Sequence, residues 1–224
     1  MTGHPLLAAF DVLSSASAIG VAAAFAYIWQ RSRSGLHLLF FVGFALVGLS
    51  FLTVSASQFD RLGEATFVDV IRLAGQTGAA LVLFFAYVSG RVHGAVRPWF
   101  ALAWASAVFA VGAVLVYFVL PPRLAFESPS TFAAAHLVQA IAYAGCTVFS
   151  FQGLLRAPDR VGRLLVPIAF LFLFLSKHMW VLIDLSGAEA LIPFVYMWRL
   201  SGLAFLLAAL VIPAQSEGEP PAST

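Results

Sequence analysis

From Leu6 onward the chain repeats one pattern, a run of twenty or more mostly apolar residues followed by a short polar break. A helix rising 1.5 Å per residue needs about 20 such residues to cross the hydrocarbon core of a bilayer. Seven segments reach that length, at residues 6–30, 36–58, 66–90, 98–120, 131–155, 164–185 and 192–213. The breaks carry turn and charge punctuation: Arg31-Ser-Arg-Ser-Gly35, Gln58-Phe-Asp-Arg-Leu-Gly63, Gly90-Arg-Val-His-Gly94 with Pro98, Pro121-Pro122, Ala157-Pro-Asp159 and Leu185-Ser-Gly187. Loops this short make consecutive helices antiparallel neighbours. The pattern therefore predicts an all-α fold, a polytopic seven-transmembrane-helix bundle forming one domain over residues 1–213. Residues 214–224, which include Gln215-Ser-Glu-Gly-Glu-Pro-Pro-Ala-Ser-Thr224, have the composition of a disordered tail.

Composition narrows the class further. Hydrophobic residues make up 62% of the chain and charged residues 10%, against about 25% charged in soluble domains. With a mean hydropathy of +0.96, so much apolar surface requires lipid around it. No basic run precedes the first apolar segment, so that segment is expected to stay in the protein as a helix. One cysteine, Cys146, excludes an intrachain disulfide and a cysteine-ligated cluster, and reads as a packed small hydrophobe. A net charge of +2 with no basic tract gives nucleic acid nothing to bind.

Orientation follows from arginine placement. The first, third and fifth breaks hold Arg31, Arg33, Arg91, Arg97, Arg156, Arg160 and Arg163, whereas the others hold Arg61 and Arg123. Cytoplasmic loops are the basic ones, which puts the N-terminus outside and the C-terminal tail in the cytoplasm. The expected location is the plasma (inner) membrane.

Direction converts sequence position into depth. Asp11, Asp69, Arg72, His136 and Arg199 come early in segments entering from outside; Lys177, His178 and Asp184 come late in one running outward. The charged residues within the spans thus share the outer half of the membrane. Helical spacing groups them: Asp69, Arg72 and Gln76 at i, i+3 and i+7, and His136, Gln139 and Tyr143 likewise. Asp184 follows Lys177, the only lysine, by two turns on the same face. Ions inside a membrane are expensive and functional by default. The candidate ligand-binding site is therefore Lys177, His178, Arg199, Asp184, Arg72, Asp69, Asp11, His136 and Gln139, with Tyr143, Tyr196 and Trp180 as walls.

Several chemistries suit this cluster. Cationic Lys177, Arg72 and Arg199 could hold an anionic or carbonyl-bearing small molecule, making the chain a sensor or accessory subunit. No signalling domain is visible, so a membrane-protein partner or a second copy would relay the signal. His136 and His178, at similar depth on consecutive segments, form the pair that a haem b electron-transfer subunit would use. Metal ligands at i, i+4 are absent, and so is any triad of hydrolytic residues, which argues against a metal site or an enzyme. Alternatively, fixed ion pairs could simply set helix register.

A desolvated lysine can also form a Schiff base with an aldehyde. Seven helices with the N-terminus outside, and Trp180-Val-Leu-Ile followed by Ser186-Gly187, resemble the microbial rhodopsins and their sixth helix. The resemblance implies a rhodopsin-like fold, with or without a chromophore. That family carries its retinal lysine in the seventh helix, where this chain has Arg199, which cannot form the imine. Retinal is therefore disfavoured.

Overall fold

The computed structural model describes residues 5–58, 65–92, 129–156 and 161–216, apart from the side chains of some residues at helix ends. The predicted segment 98–120, His4, His93 and residues 217–224 lie outside the described residues. Within them are six long helices: α1 (Pro5–Ser32), α2 (Gly35–Gln58), α3 (Ala65–Val92), α4 (Pro129–Arg156), α5 (Val161–Ser186) and α6 (Ile192–Ser216). No strand occurs among the described residues. All six are long and apolar enough to cross a membrane, as an integral membrane protein requires.

Their outer faces carry no polar coat. Val12, Leu13, Ile19, Leu49, Leu52, Leu137, Ile141, Val148, Leu171 and Met197 are all exposed, a surface that suits lipid and not water. Inside lie Phe44, Phe170, Leu39, Leu83 and Leu203, each almost completely buried. Phe25 stacks on Phe40, Tyr87 meets both Phe40 and Phe170 edge-on, and Phe44 and Tyr143 lean on Phe170.

Two connections show how the helices end. Gly187, with φ +69°, donates its N–H to the Ile183 carbonyl at 2.8 Å, a left-handed stop that glycine makes without steric cost. A 3-10 turn, Glu189–Leu191, then leads into α6. Between α1 and α2 the left-handed residue is Arg33, φ 53°, and not the nearby Gly35, which already opens α2.

The helices form a closed ring in chain order, with α6 returning to α1. Among the described glycines, the closest approach to a neighbouring backbone is between α5 and α6: a Cβ built on Gly202 would sit 2.8 Å from the Ala169 carbonyl oxygen. Ala16, Gly20 and Ala24, small residues at four-residue spacing on α1, serve only partly as a contact stripe, since Ala16 is exposed and Gly20 touches Leu207 of α6. Most neighbours are antiparallel, but two pairs are not. Along α3 and α4, Arg72 lies over Phe132, Thr77 meets Gln139, and Phe84 packs on Phe149, positions that rise together. Along α1 and α6, Phe10 meets Tyr196 and Gly20 meets Leu207. Both pairs are parallel, so Val92 and Pro129 lie at opposite ends of the bundle.

Candidate functional site

The buried charged and histidine side chains of the described residues sit at one end of the bundle, where α1, α3, α4 and α6 begin and α2 and α5 finish. At its centre is Arg199, two turns into α6. Asp11 and Ser14 stand three apart on α1, one above the other on the face toward α6. Arg199 Nη2 donates to Asp11 Oδ1 at 2.6 Å and its Nε donates to Ser14 Oγ at 2.9 Å. Ser14 Oγ in turn donates to the Phe10 carbonyl at 2.8 Å. The guanidinium lies over two rings, 4.1 Å from the centroid of Phe51 and 4.4 Å from that of Tyr196. With Asp11 only 1% and Arg199 5% exposed, this is a fully buried ion pair. A planar cation that hydrogen-bonds at its edge and stacks on its faces suits such a slot far better than an ammonium would.

Lys177 takes a different partner. Its Nζ donates to Gln76 Oε1 of α3 at 2.5 Å, and no carboxylate lies within ion-pair distance among the described residues. Asp184, on the lysine's own face two turns away, instead accepts from His136 Nδ1 of α4 at 2.8 Å. The His136 ring lies flat against Trp180, centroids 5.6 Å apart. A carboxylate on Nδ1 sets that nitrogen as the protonated one. One turn deeper on α4, Gln139 Nε2 donates to Thr77 Oγ1 at 2.9 Å. Gln139 Oε1 and Ser176 Oγ are buried with no partner among the described residues. Buried polar atoms seldom stay unsatisfied, so water belongs near them.

A cavity of about 20 Å³ separates these groups, lined by Asp11, Arg72, Gln76, His136, Trp180, Tyr196 and Arg199, among others. One water needs about 10–15 Å³, so the site as it stands is closed around roughly one molecule of solvent.

The structure therefore unites most of the predicted cluster. Asp11, Arg72, His136, Trp180, Tyr196 and Arg199 line the cavity, and Lys177 and Asp184 are each bonded to a lining residue. Three predicted members do not join them. His178 is exposed on the outside of α5 and stacks on Phe174, rings 5.8 Å apart, because successive helical residues point about 100° apart and Lys177 takes the inward direction. Tyr143 is buried deeper, against Phe170, and Gln139 is occupied with Thr77. The Asp69 side chain lies outside those described. Ser50 and Thr53 of α2 bond carbonyls of their own helix and add nothing to the network.

One expected pairing changes accordingly. The bis-histidine arrangement of the haem reading is not formed, since His136 faces inward and is held by Asp184 while His178 faces outward. Lys177 and Asp184, aligned on one face, bond across to different helices. Sequence reading also missed Phe51, which has no polar signature, and Thr77, whose hydroxyl lies beside Gln76 in sequence but off the Asp69, Arg72 and Gln76 stripe. No family model, curated protein or solved structure matches the chain. Two guanidiniums, Arg72 and Arg199, border one cavity on which Asp11 is the single carboxylate among the described lining residues.

Proposed function

We propose that this chain is a seven-helix membrane sensor or accessory subunit, with its N-terminus outside and its C-terminus in the cytoplasm, whose Arg199 site recognises a small anionic ligand. The observation that carries the reading is the pair of guanidiniums on one buried cavity, with Asp11 seated where a ligand carboxylate would bind. Such a ligand would displace Asp11 from Arg199 and loosen α1 from α6, which meet at this end through Asp11, Ser14 and Phe10. A ligand shifts an equilibrium only by its preference for one state, and this exchange supplies the preference. A partner in the same membrane, or a second copy, would read the α1–α6 movement. The seventh crossing, over 98–120, is supported by the parallel packing of α3 on α4, which leaves Val92 and Pro129 at opposite ends. The plasma (inner) membrane and the orientation rest on the arginine bias of the breaks.

One observation favours a second reading. The cavity holds about one water and Arg199 is fully engaged, as expected of an ion-pair network that only fixes helix register. Thermal melting of the protein in lipid nanodiscs, with acetate, succinate and phosphate in turn, separates the two. A binding anion at a hundred times its dissociation constant adds about 2.7 kcal/mol, an easily measured shift, which Arg199→Gln would abolish. If none of the anions shifts the wild type and Arg199→Gln merely melts earlier, the register reading stands and the sensor reading falls.

A further inference from the structure

The larger cavities lie at the opposite end of the bundle. One of about 340 Å³ is bounded by α2, α3, α4 and α5, including Phe40, Tyr87, Phe149, Ser150 and Gly153. A second, of about 240 Å³, lies among Phe25, His37, Phe44 and Phe170 and shares Phe40, Tyr87 and Val166 with the first. Ligand pockets run from about 300 to 1,000 Å³, so the first is already of ligand size. The charged site, at about 20 Å³, is not.

The walls say what would fit. The smaller lobe is mostly ringed by aromatic side chains, and the larger one sets Phe40, Tyr87 and Phe149 among aliphatic residues; flat guests stack well on such faces. Polar atoms are few. Ser150 Oγ donates to the Thr147 carbonyl at 3.0 Å, and one His37 nitrogen bonds Ser32 Oγ at 2.7 Å. The Tyr87 hydroxyl, on the wall between the lobes, makes no hydrogen bond among the described residues. That hydroxyl has its donor to give, so an acceptor on a guest would pair with it. At Gly153 the wall is thin. This residue is exposed on α4, and a Cβ added there would meet nothing within 4 Å. It lies three residues from the end of α4, near the depth of the lipid headgroups, which makes it the mouth.

We propose that this end of the bundle binds a lipid-soluble quinone: a flat ring whose carbonyl accepts from Tyr87, stacked among the Phe40, Phe149 and Phe170 rings, with its tail leaving past Gly153. The site is independent of the anion site, so either reading can fail alone.

The test is melting of the full-length protein in detergent against a decyl-tailed benzoquinone, with decylbenzene as the tail-matched control. The quinone raises the melting temperature saturably, and decylbenzene does not at equal concentration. Tyr87→Phe weakens the half-saturating concentration about 2–10-fold, the loss of one hydrogen bond. Gly153→Trp, which puts an indole in the mouth, abolishes the quinone shift while helical circular dichroism stays at the wild-type level. A wild type that quinone does not shift, a decylbenzene shift equal to the quinone's, or quinone binding undiminished in Gly153→Trp would each overturn the proposal. Should Gly153→Trp lose helicity, Tyr87→Phe decides alone, and unchanged affinity there refutes the assigned contact.

Discussion

Replacing Asp11 with asparagine removes one charge from the Asp11–Arg199 pair while keeping its shape and one acceptor oxygen. Breaking a buried pair from one side costs about 3–5 kcal/mol, because the remaining ion stays desolvated and uncompensated. Three features of this site pull the figure toward the lower end. The asparagine carbonyl still accepts from Nη2, Ser14 still accepts from Nε, and the rings of Phe51 and Tyr196, 4.1 and 4.4 Å away, remain. Desolvated cation–π contacts are worth up to about 2 kcal/mol, so the expected loss is about 3 kcal/mol. Unfolding in mixed micelles of rising SDS content, followed by circular dichroism, measures it directly. The double variant Asp11→Leu with Arg199→Met should recover most of the loss, since an apolar pair of similar volume needs no compensation. A loss under about 1 kcal/mol, the range of exposed ion pairs, would refute the argument, as would a double variant no better than Asp11→Asn alone.

Other expectations follow from the same geometry. Lys177→Met should leave stability unchanged or raise it, whereas Gln76→Leu, which strips the ammonium of its 2.5 Å acceptor, should cost about 2–3 kcal/mol in the same titration. Gly202→Ala forces a methyl toward a backbone oxygen 2.8 Å away and should cost about 1–3 kcal/mol; Gly153→Ala, with open space around it, should be neutral or slightly stabilising. Reporter tags on the two termini should label from opposite sides of the membrane if residues 98–120 make a seventh crossing. Labelling from one side would refute that crossing. Protein purified from native membranes should show no Soret band that moves with dithionite, because His136 and His178 face apart; such a band would require other ligands or a different packing of α5.

The fold was legible to the extent that it is an axial matter. Apolar run length sets where a helix enters and leaves lipid, and the six described helices agree with the expected spans to within about three residues at each end, α5 starting early at Val161 and α6 running on to Ser216, into the segment read as a tail. Turn detail was less legible. Arg31-Ser-Arg-Ser-Gly35 reads as a loop closed by glycine, yet the left-handed position falls on Arg33 because Gly35 is already needed to start α2. Likewise Ala16, Gly20 and Ala24 form a small-residue stripe on paper. The close contacts instead go to Gly202 on Ala169 and to Gly48 of α2, whose carbonyl accepts from Ser15 at 2.8 Å. A glycine permits close approach, but the rotation of the facing helix decides whether it is used.

The same distinction divides the site. Depth placed the charged groups at one end, and there they are; identifying partners needs rotation about each helix axis, which only neighbouring helices provide. Lys177 and His178 are adjacent in sequence and 1.5 Å apart in height, yet one points into the bundle and the other out of it. Asp184 shares the lysine's face, but seven residues is about 10 Å of rise, too far for the two to pair, and His136 on α4 lies closer at that height. Arg199 shows the limit most sharply. Its charge was conspicuous in the sequence, but much of what makes the slot hold a cation is Phe51, one of several phenylalanines in α2. Twenty-two phenylalanines carry no mark that tells a cation's wall from a packing residue. The distinction arises only when α2 and α6 come together across the ring, and so Phe51→Leu, which leaves hydrophobicity intact and removes the π face, would weaken Arg199's site without any signal in the hydrophobic pattern.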